Sequence, residues 1–294
     1  MRKPLVMELG DRTFSARAAL PDGDGALDLP LIVALHGGGY TSGYFDVAGN
    51  SLLARCESLG IPIVALDRPS YGDTSWLDDA DVTQSSNARL LSAAISDLWK
   101  QFGSGKAGIV LLGHSIGGAI ALRIAASPLT WPLIGVAISG IGLVHRPEEA
   151  KAFGALPPIP KIDLPLATKD ELMFGAAGTF SPQAVKASHA ANAPLPRQEI
   201  IDISSLWPIE AKAVLAAISA PMHYRQAHDD KLWVVEADEA DRFAAACSSA
   251  RSVDARLLRK VGHCIDLHRA GPAFQLEQLA FALRCAFEAN VAAS

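Results

Sequence analysis

The sequence predicts an α/β protein with a mostly parallel sheet covered by helices on both faces. Three observations predict it. Short apolar runs are continuous rather than alternating, as in strands buried on both faces. Stretches with helical spacing lie between most of them, and strand–helix alternation favours a parallel sheet. Half of the 294 residues are hydrophobic, enough to bury a large core.

The strand-like runs are Thr13–Leu20, Leu31–Leu35, Ile61–Leu66, Ile109–Leu112, Leu133–Ser139, Pro221–Ala227 and Arg256–Lys260. No helix-like stretch separates the first two, which predicts that they form an antiparallel edge. The helix-like stretches are Ser51–Leu59, Asn87–Phe102, Gly117–Ala126, Glu239–Ala250 and Pro272–Ala289. In the last, Phe274, Leu276, Leu279, Leu283 and Phe287 recur at helical spacing. The alternation breaks over Arg146–Ala213, which holds nine of the eighteen prolines. Such density cannot continue a sheet or a long helix. Short helical pieces, Lys169–Phe174 and Ser181–Ala190, predict a folded insertion within one domain, 1–294, because the strand–helix pattern resumes at Pro221.

Composition excludes several classes of function. A net charge of −5, with no basic run, argues against nucleic acid or anionic membrane as the partner. No apolar stretch approaches the roughly 18 residues of a membrane span. The N-terminal MRKPLVMELGD lacks the apolar core of a signal peptide, so a cytoplasmic location is expected. Cys56, Cys247, Cys264 and Cys285 are dispersed, and no HExxH or CxxC spacing occurs, so reduced thiols and no metal are expected. The phosphate-loop pattern is also absent.

The chemistry centres on "IVLLGHSIGGAIALRIAA", residues 109–126, where Gly113-His114-Ser115-Ile116-Gly117 reads G-x-S-x-G between a strand and a helix. A nucleophilic serine there sits on a sharp strained turn, and glycine is favoured two residues to either side. The helix N-terminus directs free N–H groups toward an oxyanion at the serine. A second glycine-rich turn, His36-Gly37-Gly38-Gly39, follows another strand. The predicted oxyanion donors are Gly38 and Ile116, with Gly39 as the competitor of Gly38. His36 is expected to be a structural hydrogen-bonding residue of that loop.

Serine needs a base, and the base needs an acid. In the chain order Ser, acid, His, the base follows the last strand. "LLRKVGHCIDLHRAG" puts His263 there, with His268 competing. The acid should follow the strand opening at Pro221, where Asp230 is favoured by register and Asp229 stays open.

Together "LHGGGY", "LDRPSYGDTS", "GHSIGG", "APMHYRQAHDD" and "VGHCIDLH" resemble the α/β-hydrolase superfamily, its serine-nucleophile branch, over nearly the whole chain. "LDRPSYGDTS" looks like the family's D-x-P-G-x-G-x-S loop, with Ser70 in place of the usual glycine. Ala227 likewise stands where the family has glycine after the acid's strand. The resemblance implies an eight-stranded sheet, a lid inserted after the sixth strand and no cofactor. That lid would be Arg146–Ala213, with Leu172, Met173, Phe174, Phe180, Leu206 and Trp207 over an enclosed pocket of a few hundred Å3.

The expected function is hydrolysis of a small or medium-sized carboxylic ester, a small-molecule substrate, through an acyl-serine with a Ser115–His263–Asp230 triad. Alternatives are a thioesterase or lactonase, a C–C bond hydrolase or lyase, and a non-catalytic small-molecule receptor on the same fold.

Overall fold

A computed structural model describes residues 2–9, 12–21, 28–75 and 82–293. The chain runs β1 (Arg2–Leu9), β2 (Arg12–Ala19), β3 (Pro30–Leu35), α1 (Leu52–Leu59), β4 (Ile63–Leu66), α2 (Gln84–Phe102), β5 (Gly108–His114), α3 (Ile116–Ala125) and β6 (Leu133–Ser139). After β6 come α4 (Pro147–Gly154), β7 (Lys161–Ile162), α5 (Leu166–Met173), α6 (Pro182–Ser188), β8 (Leu195–Pro196), α7 (Arg197–Ile201) and α8 (Trp207–Ala216). The chain ends with β9 (Met222–Ala227), α9 (Glu239–Ala246), β10 (Val253–Leu258) and α10 (Gly271–Ala293).

Eight strands form one sheet in the order β1-β2-β4-β3-β5-β6-β9-β10, and β7 pairs only with β8. From β4 to β10 the neighbours are parallel. β3, β4 and β5 are buried at every residue, which is why they read as unbroken apolar runs. α1 starts at Ser51, whose side chain accepts from Ala54 N–H, and stops at Gly60, which takes φ 69°.

The antiparallel edge differs from the sequence expectation. β2 does not pair with β3; it lies between β1 and β4, antiparallel to both. β1 escaped the sequence reading because its apolar residues are not all buried: Met7 is 4% exposed but Val6 is 60% exposed. The last strand starts earlier than expected, at Val253, and Lys260 falls in the turn beyond it at φ 58°. The segment between β6 and β9 is helical with one short strand pair, and no helix among the described residues is long and apolar enough to cross a membrane.

Candidate active site

Ser115 stands between β5 and α3 at φ 54° and ψ −126°, a strained backbone for a residue with a side chain. Its neighbours explain how the chain tolerates this. A Cβ on Gly117 would lie 2.3 Å from the carbonyl oxygens of both Leu35 and His36, and one on Gly113 would lie 2.7 Å from Gly118 Cα. Backbone occupies the space, so only glycine fits at either position.

The sheet order brings β9 beside β6, which neighbours β5, and the loop after β10 returns over the same edge. His263 in that loop sets Nε2 at 2.9 Å from Ser115 Oγ and Nδ1 at 2.8 Å from Asp230 Oδ2. With Nδ1–H donating to the carboxylate, Nε2 carries the lone pair that faces the serine hydroxyl. Asp230 is fully buried and also accepts from Gln226 Nε2 at 3.1 Å and from Leu232 N–H at 2.9 Å. Gln226, the residue before the end of β9, escaped the sequence reading; its amide fixes the carboxylate plane. Asp229 lies apart from this cluster, on the surface against His228 Nδ1 at 2.8 Å.

His268 is also apart. Its Nδ1–H donates to Cys264 C=O at 2.8 Å, and its Nε2 accepts from the N–H groups of Gly262 at 2.9 Å and Gly175 at 3.1 Å. Burial lowers its pKa, which keeps that acceptor available. His268 therefore ties the His263 loop to the turn after α5. His114 stacks on Tyr44 with ring centres 4.7 Å apart, lies 5.0 Å from the His263 ring, and is held neutral by burial. Cys264, beside His263, is buried, and burial pushes its thiol up to about 12, far from a reactive thiolate.

The loop His36–Tyr40 closes the other side. Gly38 and Ile116 line the same cavity as Ser115, and neither N–H has a hydrogen-bond partner among the described residues. The Gly39 N–H is committed to Tyr71 Oη at 3.4 Å. His36 is buried within the loop, its Nδ1–H donating to Gly37 C=O at 2.8 Å and its Nε2 accepting from Arg68 N–H at 3.1 Å. Ser70 takes φ 70°, the left-handed conformation for which glycine would be the unstrained choice.

The cavity over Ser115 is about 50 Å3, much smaller than the few hundred Å3 expected, and apolar. Leu172 and Met173 line it with Phe153, Leu164, Leu195, Ile200 and Ile203 from the same segment, facing Leu232 and Trp233. Four residues expected over the pocket do not line it. Phe174 and Phe180 pack on each other and on His268, because that surface is what the turn after α5 meets. Trp207 is fully buried beneath Arg123 of α3, its Nε1–H donating to Gly142 C=O at 2.9 Å. Leu206 ends a π-helical turn that turns other residues inward. Lys169, unremarked in the sequence, also lines the cavity with its charge buried and its pKa lowered to about 8 by that burial.

Comparison with known proteins bears on the family and the fold. Over 134 residues, 46% of this chain, it is 30% identical to protein phosphatase methylesterase 1 of Pongo abelii, a match spanning 32% of that relative. An esterase of Mycobacterium tuberculosis is 28% identical over 97 residues, 33% of this chain and 28% of that protein. The chain thus spans about a third of the length of the curated relatives it matches. Proline iminopeptidase of Mycobacterium smegmatis superposes with a TM-score of 0.69 at 17% identity, covering 98% of this chain and 100% of that one, a likeness of fold. The profile of the alpha/beta hydrolase family matches residues 32–274, and the chain belongs to that family.

Proposed function

We propose that the protein is a serine hydrolase that cleaves a small carboxylic ester through an acyl-serine intermediate. The observation that carries this reading is His263, hydrogen-bonded at once to Ser115 Oγ and to buried Asp230, at the floor of an apolar cavity. His263 Nε2 takes the hydroxyl proton as Ser115 Oγ bonds to the acyl carbon. The carbonyl oxygen becomes an oxyanion that accepts from the Gly38 and Ile116 N–H groups. The bond to the leaving oxygen breaks as His263 returns the proton to it. Water then adds to the acyl carbon, giving its proton to His263, and the acid departs as Ser115 Oγ recovers that proton. Asp230 holds the imidazole tautomer and stabilises the imidazolium.

Arg146–Ala213 acts as a lid in this reading, since it follows the carboxyl end of β6, beside Ser115, and its apolar side chains roof the cavity. A cavity of about 50 Å3 favours a short acyl or alkoxy group. The methylesterase relatives point the same way, toward a small leaving alcohol. The substrate is a small molecule met in the cytoplasm.

The test is a series of p-nitrophenyl esters from acetate to octanoate, with methyl esters, thioesters and lactones, given to wild type and Ser115→Ala. Turnover of the short esters, lost in Ser115→Ala, is expected. Faster turnover of thioesters or lactones would move the substrate class. No turnover at all, with ligands that raise the melting temperature, would replace the enzyme by a receptor.

A further inference from the structure

Two buried charges of the segment between β6 and β9 bear on one short loop. Glu199 in α7 is fully buried, and Lys169 in α5 is 4% exposed. Burying a charge is unfavourable unless it gains strong partners. Both find those partners around His36–Tyr40.

Glu199 takes a bidentate contact from Arg68, whose Nη2 lies at 3.1 Å from Oε2, and a hydrogen bond from Tyr71 Oη at 2.9 Å. Arg68 in turn donates through Nε to His36 C=O at 2.9 Å and through Nη2 to Gly37 C=O at 3.4 Å. Tyr71 accepts from the Gly39 N–H. Burial, and then the Glu199 charge, hold the Tyr71 phenol well above its ordinary 10, so it stays a donor to Glu199. From the other side Lys169 Nζ donates to Gly39 C=O and Asn192 Oδ1 and lies 3.4 Å from the centre of the Tyr40 ring. With two acceptors and a ring face engaged, this ammonium is a clamp on the loop rather than an anion site open to the cavity.

The consequence follows from peptide geometry. In a trans peptide the carbonyl and the next N–H point in opposite directions. There are no cis bonds among the described residues. Drawing Gly37 C=O toward Arg68 and the His36 ring therefore turns the Gly38 N–H to the opposite side, and Gly38 lines the same cavity as Ser115.

We propose that Glu199 and Lys169 are positioning residues of the oxyanion loop, so that the Gly38 donor is fully aimed when the segment between β6 and β9 is seated. This rests on the reading of Gly38 as an oxyanion donor. It predicts that substrate access and assembly of the oxyanion site are coupled: lifting the segment withdraws Glu199, loosens Arg68 and leaves the Gly37–Gly38 peptide held by His36 alone.

The experiment measures the rate at which a fluorophosphonate labels Ser115, together with kcat and KM for p-nitrophenyl acetate and the melting temperature, in wild type, Glu199→Gln, Tyr71→Phe and Lys169→Met. Loss of one oxyanion donor lowers kcat by about 100- to 1,000-fold, so misaiming one should cost about 10- to 100-fold in kcat and in labelling for Glu199→Gln, with KM within about threefold. Tyr71→Phe and Lys169→Met should lose about three- to tenfold in the same sense. Tyr71→Phe introduces no unpaired charge, so it decides the question if Glu199→Gln does not fold. Wild-type labelling rates in Tyr71→Phe, or a loss confined to KM, overturn the inference and leave the segment as a pocket wall only. If wild-type Ser115 is not labelled, it is the serine-hydrolase reading that fails, and this inference with it.

Discussion

Ser115, Asp230 and His263 stand at the ends of β5 and β9 and in the loop after β10, while Lys169 and Glu199 reach the same site from helices of eight and five residues. On the floor, placement is enforced by backbone. Parallel register sets β5 and β9 side by side through β6, and the turn at Ser115 leaves no room for a Cβ at Gly113 or Gly117. On the roof, placement rests on side chains: apolar contacts around the cavity and two buried charges. Floor geometry is thus all-or-none, because backbone cannot yield by small amounts, whereas roof contacts are lost one at a time.

The sharpest break in the comparison comes at the proposed triad. Ser115→Ala and His263→Ala should each lower kcat by three or more powers of ten, and Asp230→Asn by about 10,000-fold. Asp229→Asn should stay within about twofold, because that carboxylate is exposed and bonded only to His228 among the described residues. Steady-state kinetics on a short ester checks all four, and an Asp229→Asn loss matching Asp230→Asn would move the acid.

A matched pair of glycines tests the backbone argument. Gly117→Ala should destabilise by about 3 kcal/mol or more and lower the melting temperature by about 5 °C or more. Gly154→Ala, at the end of α4 with nothing within 4 Å of its would-be Cβ, should be neutral or stabilise by up to about 1 kcal/mol. Thermal unfolding of the two variants measures the contrast, and equal losses would remove it.

Acid should weaken the fold. His36 and His114 at the site, and His223 under α10, have pKa values lowered by burial, His223 to about 3. Between the unfolded value of 6.5 and these folded values the unfolded chain binds protons that the native one refuses, so stability is full above pH 6.5 and falls as pH drops below it. Each such histidine contributes about 1.4 kcal/mol per pH unit in that window. The melting temperature should therefore be lower at pH 5.5 than at 7.5. His223→Phe should flatten the slope, since neither ring nitrogen has a hydrogen-bond partner among the described residues.

Milder effects on turnover belong to the apolar side chains of the roof. Leu172→Ala and Met173→Ala should enlarge the cavity and raise kcat/KM for butanoate or hexanoate relative to acetate by about tenfold, with acetate turnover nearly kept. A ratio unchanged in both would mean that chain length is selected elsewhere.

The sheet and the serine turn were legible in the sequence because their causes are local. Buried strands read as apolar runs, and a turn that excludes every Cβ must be written with glycine at Gly113 and Gly117. Chain order led to His263 and to the stretch holding Asp230. Register favours Asp230 and leaves Asp229 open; in the fold Asp230 is buried against Gln226 and His263 while its neighbour faces outward. The edge strand β1 is hidden because half-exposed apolar residues carry no distinctive pattern, and spacing does not say that the short helix of Trp207 faces away from the cavity. Lys169 and Glu199 gave no signal. A charged residue on a short helix reads as solvated surface, and their partners Gly39 and Arg68 lie 130 and 131 positions away. Local sterics are written in neighbouring residues; a contact closed across more than a hundred residues exists only once the chain has folded.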